Sequence, residues 1–281
     1  MSAQESPTFR RRYLGRLLRG LRDEARMSTD EVCRRLEFSP ARLSRIENGR
    51  TATDVLVVKA MLDLYGLPVN DWAPYEQLAR EAKKKGWWQE FGVEARGYVS
   101  LEAAASTLCH YELGDIPGLL QTEAHARTLF EKLSKRRGKH WIDDQIAVRL
   151  IRQQRLRSDI DPLEFAAIMD ETVLWRPVGG PEVQREQMRH LLELAELPTV
   201  TLQVLPLSAS PHVGLDGSFH VLGFAEKDEP DLAYVEHVFG SLQIEKEAEV
   251  RACKLAFERL RTEALTPDGS AELVRDVLAR L

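Results

Sequence analysis

The chain has 281 residues, is 43% hydrophobic and 30% charged, and contains only three cysteines. That length suits two domains, each able to bury a core, and no apolar run approaches the roughly 18 residues of a membrane-spanning helix. Cys33, Cys109 and Cys253 are too few and too scattered for a disulfide framework or a metal-binding Cys-x-x-Cys pair, so reduced thiols in a cytoplasmic protein are expected.

The net charge of −5 is unevenly spread. Residues 1–70 carry 13 Lys+Arg against 9 Asp+Glu, and residues 71–281 carry 26 against 35. A basic head on an acidic body confines phosphate attraction to one end of the chain.

Residues 1–9 read as a frayed tail. Leu14, Leu17, Leu18, Leu21 and Ala25 then recur at helical spacing, with Arg16, Arg19 and Arg22 largely outward. Ser28 followed by Glu31 is a capping box for a second helix over about 29–36. Ser39 caps a third over about 40–47, with Pro40 at its first position, where the missing N–H costs nothing. A fourth runs from about Thr53 to Tyr65 and stops at Gly66-Leu-Pro68. The turn-rich stretch 66–75 marks a junction.

Beyond it, helices are expected over 76–85, 100–111, 122–134, 141–157, 181–196, 245–264 and 270–280. Short β-prone runs occupy 163–169, 200–205, 218–224 and 232–237. The expected fold is a mainly α helix-turn-helix bundle followed by an α+β domain with a small, mostly antiparallel sheet. The boundaries are 10–67 for the bundle, 68–85 for a junction and connecting helix, and 86–281 for a regulatory and dimerisation domain.

The stretch 28–50 carries the functional signal. Two short helices can pack steeply across a tight turn only if their contacts are small or apolar, and Val32, Leu36, Leu43 and Ile46, with the small Cys33, meet that need. Such a pair lays its second helix in the major groove of DNA. Residues 11–66 resemble the phage-repressor or XRE-type helix-turn-helix family, through Leu-Arg-x-x-Arg-Asp-Glu-Ala at 18–25 and Leu-Ser-Arg-Ile-Glu-Asn-Gly-Arg at 43–50.

Matched to that family, the base-reading positions are Pro40, Ala41, Arg42 and Arg45. Pro40 and Ala41 cannot make polar base contacts, although Ala41 can touch a thymine methyl. Arg45 is the main candidate for a guanine contact, while Arg42 either reads a base or grips phosphate. Ser28, Thr29, Ser39, Ser44, Asn48, Gly49 and Arg50 are the expected phosphate contacts. Glu37 stands where the family usually has a turn glycine, so the turn is expected to be strained or altered.

From residue 86 onward the chain resembles the C-terminal domain of actinobacterial WhiJ-like regulators. The match runs through Gly86-Trp87-Trp88, Tyr98, Ile116-Pro-Gly-Leu-Leu-Gln-Thr122, Arg152-Gln153, Val178-Gly179-Gly180 and Gly214-Leu-x-Gly-Ser-Phe219. That resemblance implies a transcriptional regulator with a small protein partner encoded nearby, or an antitoxin-like protein whose main role is binding that partner. Dimerisation follows from geometry: one such module reads too few base pairs and works in symmetric pairs on a partly palindromic operator.

Within 86–281 the seven histidines show no metal-ligand spacing, and no nucleophile elbow or phosphate loop occurs. Neither catalysis, a metal nor a cofactor is expected. The aromatics Trp72, Tyr75, Trp87, Trp88, Phe91 and Tyr98 read in two ways, as a seal between the domains or as a partner or ligand groove of Trp87, Trp88, Tyr98, Pro117 and Gly118.

Overall fold

The computed structural model describes residues 6–93, 97–133, 138–209, 211–225, 229–237 and 239–281. The chain divides into two compact units, Met1–Ala104 and Ala105–Leu281.

In the first unit, α1 (Pro7–Glu24), α2 (Thr29–Leu36), α3 (Pro40–Glu47), α4 (Val55–Leu64) and α5 (Ala73–Ala82) are followed by a short α6 (Tyr98–Glu102). Each of α1 to α4 needs partners, because eight to eighteen residues of amphipathic helix are stabilised mainly by what they pack on. Leu14 and Leu18 of α1, Val32 and Cys33 of α2, Leu43 and Ile46 of α3, and Val58, Met61 and Leu62 of α4 close on one core. Ala79 of α5 completes that core, and α5 lies along α1. Trp72 and Tyr75 pack against it, and the Trp72 indole N–H donates to the Leu67 carbonyl (2.8 Å). The expected connecting helix is thus an integral member of the bundle.

The expected tail over 1–9, whose residues 1–5 lie outside the described residues, is corrected: α1 begins at Pro7, and Thr8 and Phe9 are buried. Pro7 takes the first helical position, and Phe9 stacks on Tyr13 one turn later (centroids 5.9 Å). The apolar stripe therefore starts a turn earlier than the leucine spacing announces.

The second unit is built on a six-stranded sheet of order β3-β2-β1-β4-β5-β6. The strands are β1 (Thr107–Glu112), β2 (Glu164–Asp170), β3 (Val200–Leu205), β4 (Phe219–Gly223), β5 (Leu232–His237) and β6 (Gly240–Ile244). Three of the five pairings are antiparallel, and β1-β2 and β2-β3 are parallel. Parallel neighbours need long crossovers. Here α7 (Glu123–Leu133) and α8 (Lys139–Gln153) join β1 to β2, and α9 (Thr172–Trp175) and α10 (Pro181–Ala195) join β2 to β3. Two helices close the chain, α11 (Glu247–Glu263) and α12 (Pro267–Arg280).

The expected helix over 100–111 is corrected to α6 plus the strand β1. Ala103, Ala104 and Ala105 favour helix locally, but Thr107 to Glu112 finds β2 on one side and β4 on the other. Pairing on both edges outweighs propensity. One face of the sheet packs on α11, where Tyr111, Ile168 and Leu205 meet Phe257 and Leu260, and Val221 and Ala233 meet Val250. On the edge strand β3, α10 and α12 pack against each other and the sheet.

Buried polar bonds organise the segment 115–122. Gln187, fully buried, accepts from the Thr122 N–H (2.7 Å) and donates to the Leu120 carbonyl (2.7 Å). Gln153 donates to the carbonyls of Gly118 (3.2 Å) and Gln121 (2.7 Å). Gln121 in turn donates to the Ile116 carbonyl (2.6 Å), and His125 Nε2 lies 3.1 Å from Asp115 Oδ1. A loop can pass through an interior only if its backbone groups are paired, and these side chains do that here.

Candidate nucleic-acid interface

The interface is built by α2, the turn after it and α3. Ser28 caps α2 by accepting from the Glu31 N–H (3.2 Å), and Ser39 caps α3 by accepting from the Arg42 N–H (3.2 Å). Glu37 holds the left-handed conformation between them (φ 54°, ψ 40°), and the Phe38 N–H donates to the Cys33 carbonyl (2.9 Å). The backbone keeps the turn that a glycine would supply and pays for it with a non-glycine residue at positive φ.

Two glycines set α3 against α1. A Cβ on Gly15 would stand 2.5 Å from the Ile46 carbonyl oxygen. Gly49, at φ +60° just past the end of α3, lies so close to α1 that a Cβ there would stand 2.5 Å from the Arg12 Cα. Gly49, buried, thus serves packing, a role the sequence did not disclose. Arg22 of α1 then forks onto Glu47 of α3, Nε to Oε1 at 2.6 Å and Nη2 to Oε2 at 3.2 Å, and donates also to the Met27 carbonyl (3.1 Å). The Glu47 carboxylate holds the guanidinium pKa above its ordinary value. The two sequence motifs, 18–25 and 43–50, meet in this pair, a contact between distant residues that no local pattern shows.

With Leu43, Ile46 and Glu47 turned inward, α3 presents Pro40, Ala41, Arg42, Ser44 and Arg45 to solvent. Ser28 and Thr29 are exposed at the start of α2, and Arg50 is exposed beyond α3. Asn48 is half-buried and donates through Nδ2 to the Ser44 hydroxyl (3.2 Å). The Arg50 N–H closes the helix end on the Arg45 carbonyl (2.8 Å). Arg42 and Arg45 line a cleft with Thr51, Ala52, Thr53, Asp54 and Val57. The Arg42 guanidinium lies over the Phe38 ring, 4.1 Å from its centroid.

Asp54 was not anticipated in this cleft. Its carboxylate caps α4 through the Leu56 N–H (3.0 Å) and meets the Lys83 ammonium at 2.5 Å. The Lys83 contact, then the backbone bond, holds the Asp54 pKa below the ordinary carboxylate value. An Asp before an apolar helix is a readable cap; its partner 29 residues on is not.

The expected partner-groove residues fall in both units. In the first, Trp88 is buried with its ring folded back over Gly86, Trp87 is half-buried edge-on to it (centroids 5.8 Å), and Tyr98 is half-buried in α6. In the second, Pro117 is buried and Gly118 lies against the Arg149 guanidinium and Gln153. Among the described residues no group of three or more His, Cys, Asp or Glu is placed to hold a metal, and no helix is long and apolar enough to cross a membrane.

A helix-turn-helix domain model matches residues 13–73, and the model of a domain of unknown function, DUF5753, matches residues 95–276. No curated protein and no solved structure matches the chain. The first match makes the α2-turn-α3 unit a helix-turn-helix DNA-binding domain and points to a regulator of transcription rather than an enzyme. The second spans more than half of the sequence, so the chain belongs to the DUF5753 family, with a helix-turn-helix domain ahead of the family's own domain.

Proposed function

We propose that the protein is a cytoplasmic, sequence-specific transcriptional regulator that binds a partly palindromic operator as a homodimer. The observation that carries this reading is the outward face of α3. Ala41, Arg42, Ser44 and Arg45 stand exposed in succession on a helix whose other side is fixed to α1 by two close glycine contacts and a forked ion pair.

Arg45, which forms no ion pair among the described residues, reads a guanine edge, and Ala41 packs on a thymine methyl. Pro40 adds only shape. Ser28, Thr29, Ser39, Ser44, Asn48 and Arg50 position the phosphates. The Ser28 and Ser39 hydroxyls, which accept helix N–H groups, keep their own O–H free to donate to a phosphate oxygen.

The second unit sets dimer geometry, and a small protein partner or ligand bound to it shifts operator affinity. The alternative is an antitoxin-like role, in which that partner is the main target and DNA binding serves autoregulation. Sequences selected by the protein from random duplex DNA test the proposal. Arg45→Ala should weaken binding to them by about 1–3 kcal/mol, with the strongest loss at one base position. Failure of the protein to enrich any sequence, or unchanged binding by Arg45→Ala, removes the reader assignment.

A further inference from the structure

We infer that Phe38 is a positioning residue that presets Arg42 to read a guanine edge, fixing one base of each half-site; this rests on the DNA-binding reading above. Arg42 lies in the first turn of α3, three residues after its cap Ser39. The N-terminal residues of a recognition helix are those that reach base edges.

A cation there is opposed by the helix macrodipole, and α3 has no acidic residue in its first turn to offset it. The ring of Phe38 does so instead: the guanidinium carbon stands 4.1 Å from the ring centroid, over its negative face.

Phe38 is itself held. It is half-buried, packs against the first unit's core, and its N–H is bonded to Cys33 across the left-handed turn at Glu37. The turn thus holds the ring, the ring meets the guanidinium, and Arg42 lines the same cleft as Arg45.

Contact with the ring restrains the guanidinium, and among the described residues its N–H groups form no hydrogen bond or ion pair. Its five donors thus stay available, two of them in the fork that matches guanine O6 and N7. A phosphate needs no such alignment, since a lysine serves it as a point charge. Arg45 has no ring contact among the described residues, so the two arginines of the cleft differ in preorganisation. Arg42 is the one whose side chain is already restrained before binding.

The test uses the full chain, selection from random-sequence duplex DNA, and then binding both to the selected duplex and to the unselected pool. Wild type and Phe38→Tyr should enrich the same motif. Phe38→Leu should bind the wild-type-selected duplex about threefold more weakly and Arg42→Lys about tenfold more weakly, and both should lose guanine preference at the same single position. Their affinity for the pool should stay unchanged. Retained guanine preference in Phe38→Leu overturns the inference, as does an equal loss on selected and unselected DNA, which marks a phosphate grip. If Phe38→Leu does not fold, Phe38→Met, which is apolar and of similar size but has no ring, takes its place with the same expected and overturning results. A wild type that enriches no motif removes the DNA-binding reading and this inference with it.

Discussion

The two units hold their structure by opposite means. In the first, the reading helix is set by caps three residues away and a turn between adjacent helices, and by close backbone contact of two glycines where α1 and α3 meet. In the second, β1 is a strand only because residues 164–169 and 219–223 lie on either side of it. The segment 115–122 is likewise fixed by Gln153 and Gln187 from distant helices. The first unit is thus vulnerable at points of backbone contact, and the second where a remote side chain pairs a buried backbone group.

The sharpest break in that comparison is Gly49→Ala. The new methyl would meet the backbone of Arg12, which cannot move aside as a flexible side chain can, and the residue would keep positive φ. Overpacking and the left-handed penalty together should cost about 4 kcal/mol. Hydrogen exchange should show α1 to α4 opening while β1 to β3 keep wild-type protection. Equal loss in both units would refute their separate reinforcement.

The counterpart in the second unit is Gln187→Leu, which is close in volume but leaves the Thr122 N–H and the Leu120 carbonyl buried without partners. An expected loss of about 3 kcal/mol should fall on the amides of 115–125 and α10 and spare the first unit. Gln187→Glu is a useful control: it can still accept from Thr122 but cannot donate to Leu120.

These contacts also mark what the sequence could and could not disclose. The helix-turn-helix is legible because Ser28, Glu31, Ser39, Pro40 and the spacing of Val32, Leu43 and Ile46 act within a few residues of one another. Strands β2 to β5 are legible from their own apolar runs. Strand β1 is not, since its alanine-rich approach favours helix and its partners are more than fifty residues away. Strand β6, Gly-Ser-Leu-Gln-Ile, lies at the sheet edge with little apolar signal. At the interface, the exposed arginines follow from helical phase. Asp54–Lys83, Arg22–Glu47 and the burial of Gly49 do not, because each joins elements whose approach is decided by the whole bundle.

Acid should separate the units in a third way, because all seven histidines lie in the second. His220 is buried in β4, its ring 4.0 Å from that of His110. Burial first, and then the His110 ring, hold its pKa well below the ordinary 6.5, and burial likewise lowers that of His190. A folded-state pKa below the unfolded one gives stability that is present above about 6.5 and is lost as pH falls toward the folded value. Between pH 6.5 and 5.5 the second unit should lose up to about 1.4 kcal/mol for each proton taken up only on unfolding. Glu112, held below its usual range, extends the loss only further into acid. Denaturant titrations of wild type and His220→Phe at the two pH values check this, and the variant should show the shallower pH dependence.

The smallest expected effect concerns the turn that aims the reading helix. Glu37 is exposed and lies at φ 54°, so its side chain adds no buried contact while its Cβ strains the left-handed backbone by about 1–2 kcal/mol. Glycine removes that strain but makes the unfolded chain freer, at a cost of about 0.5–1 kcal/mol. The difference predicts that Glu37→Gly stabilises the first unit by about 0.5–1 kcal/mol, seen as slower exchange in α2 and α3. If instead the variant is less stable, the turn at Glu37 is held by more than its backbone, and the stack of Phe38 and Arg42 next to it becomes the contact to examine. A gain in stability with unchanged base preference would show that the turn needs only its backbone shape, which glycine supplies without strain.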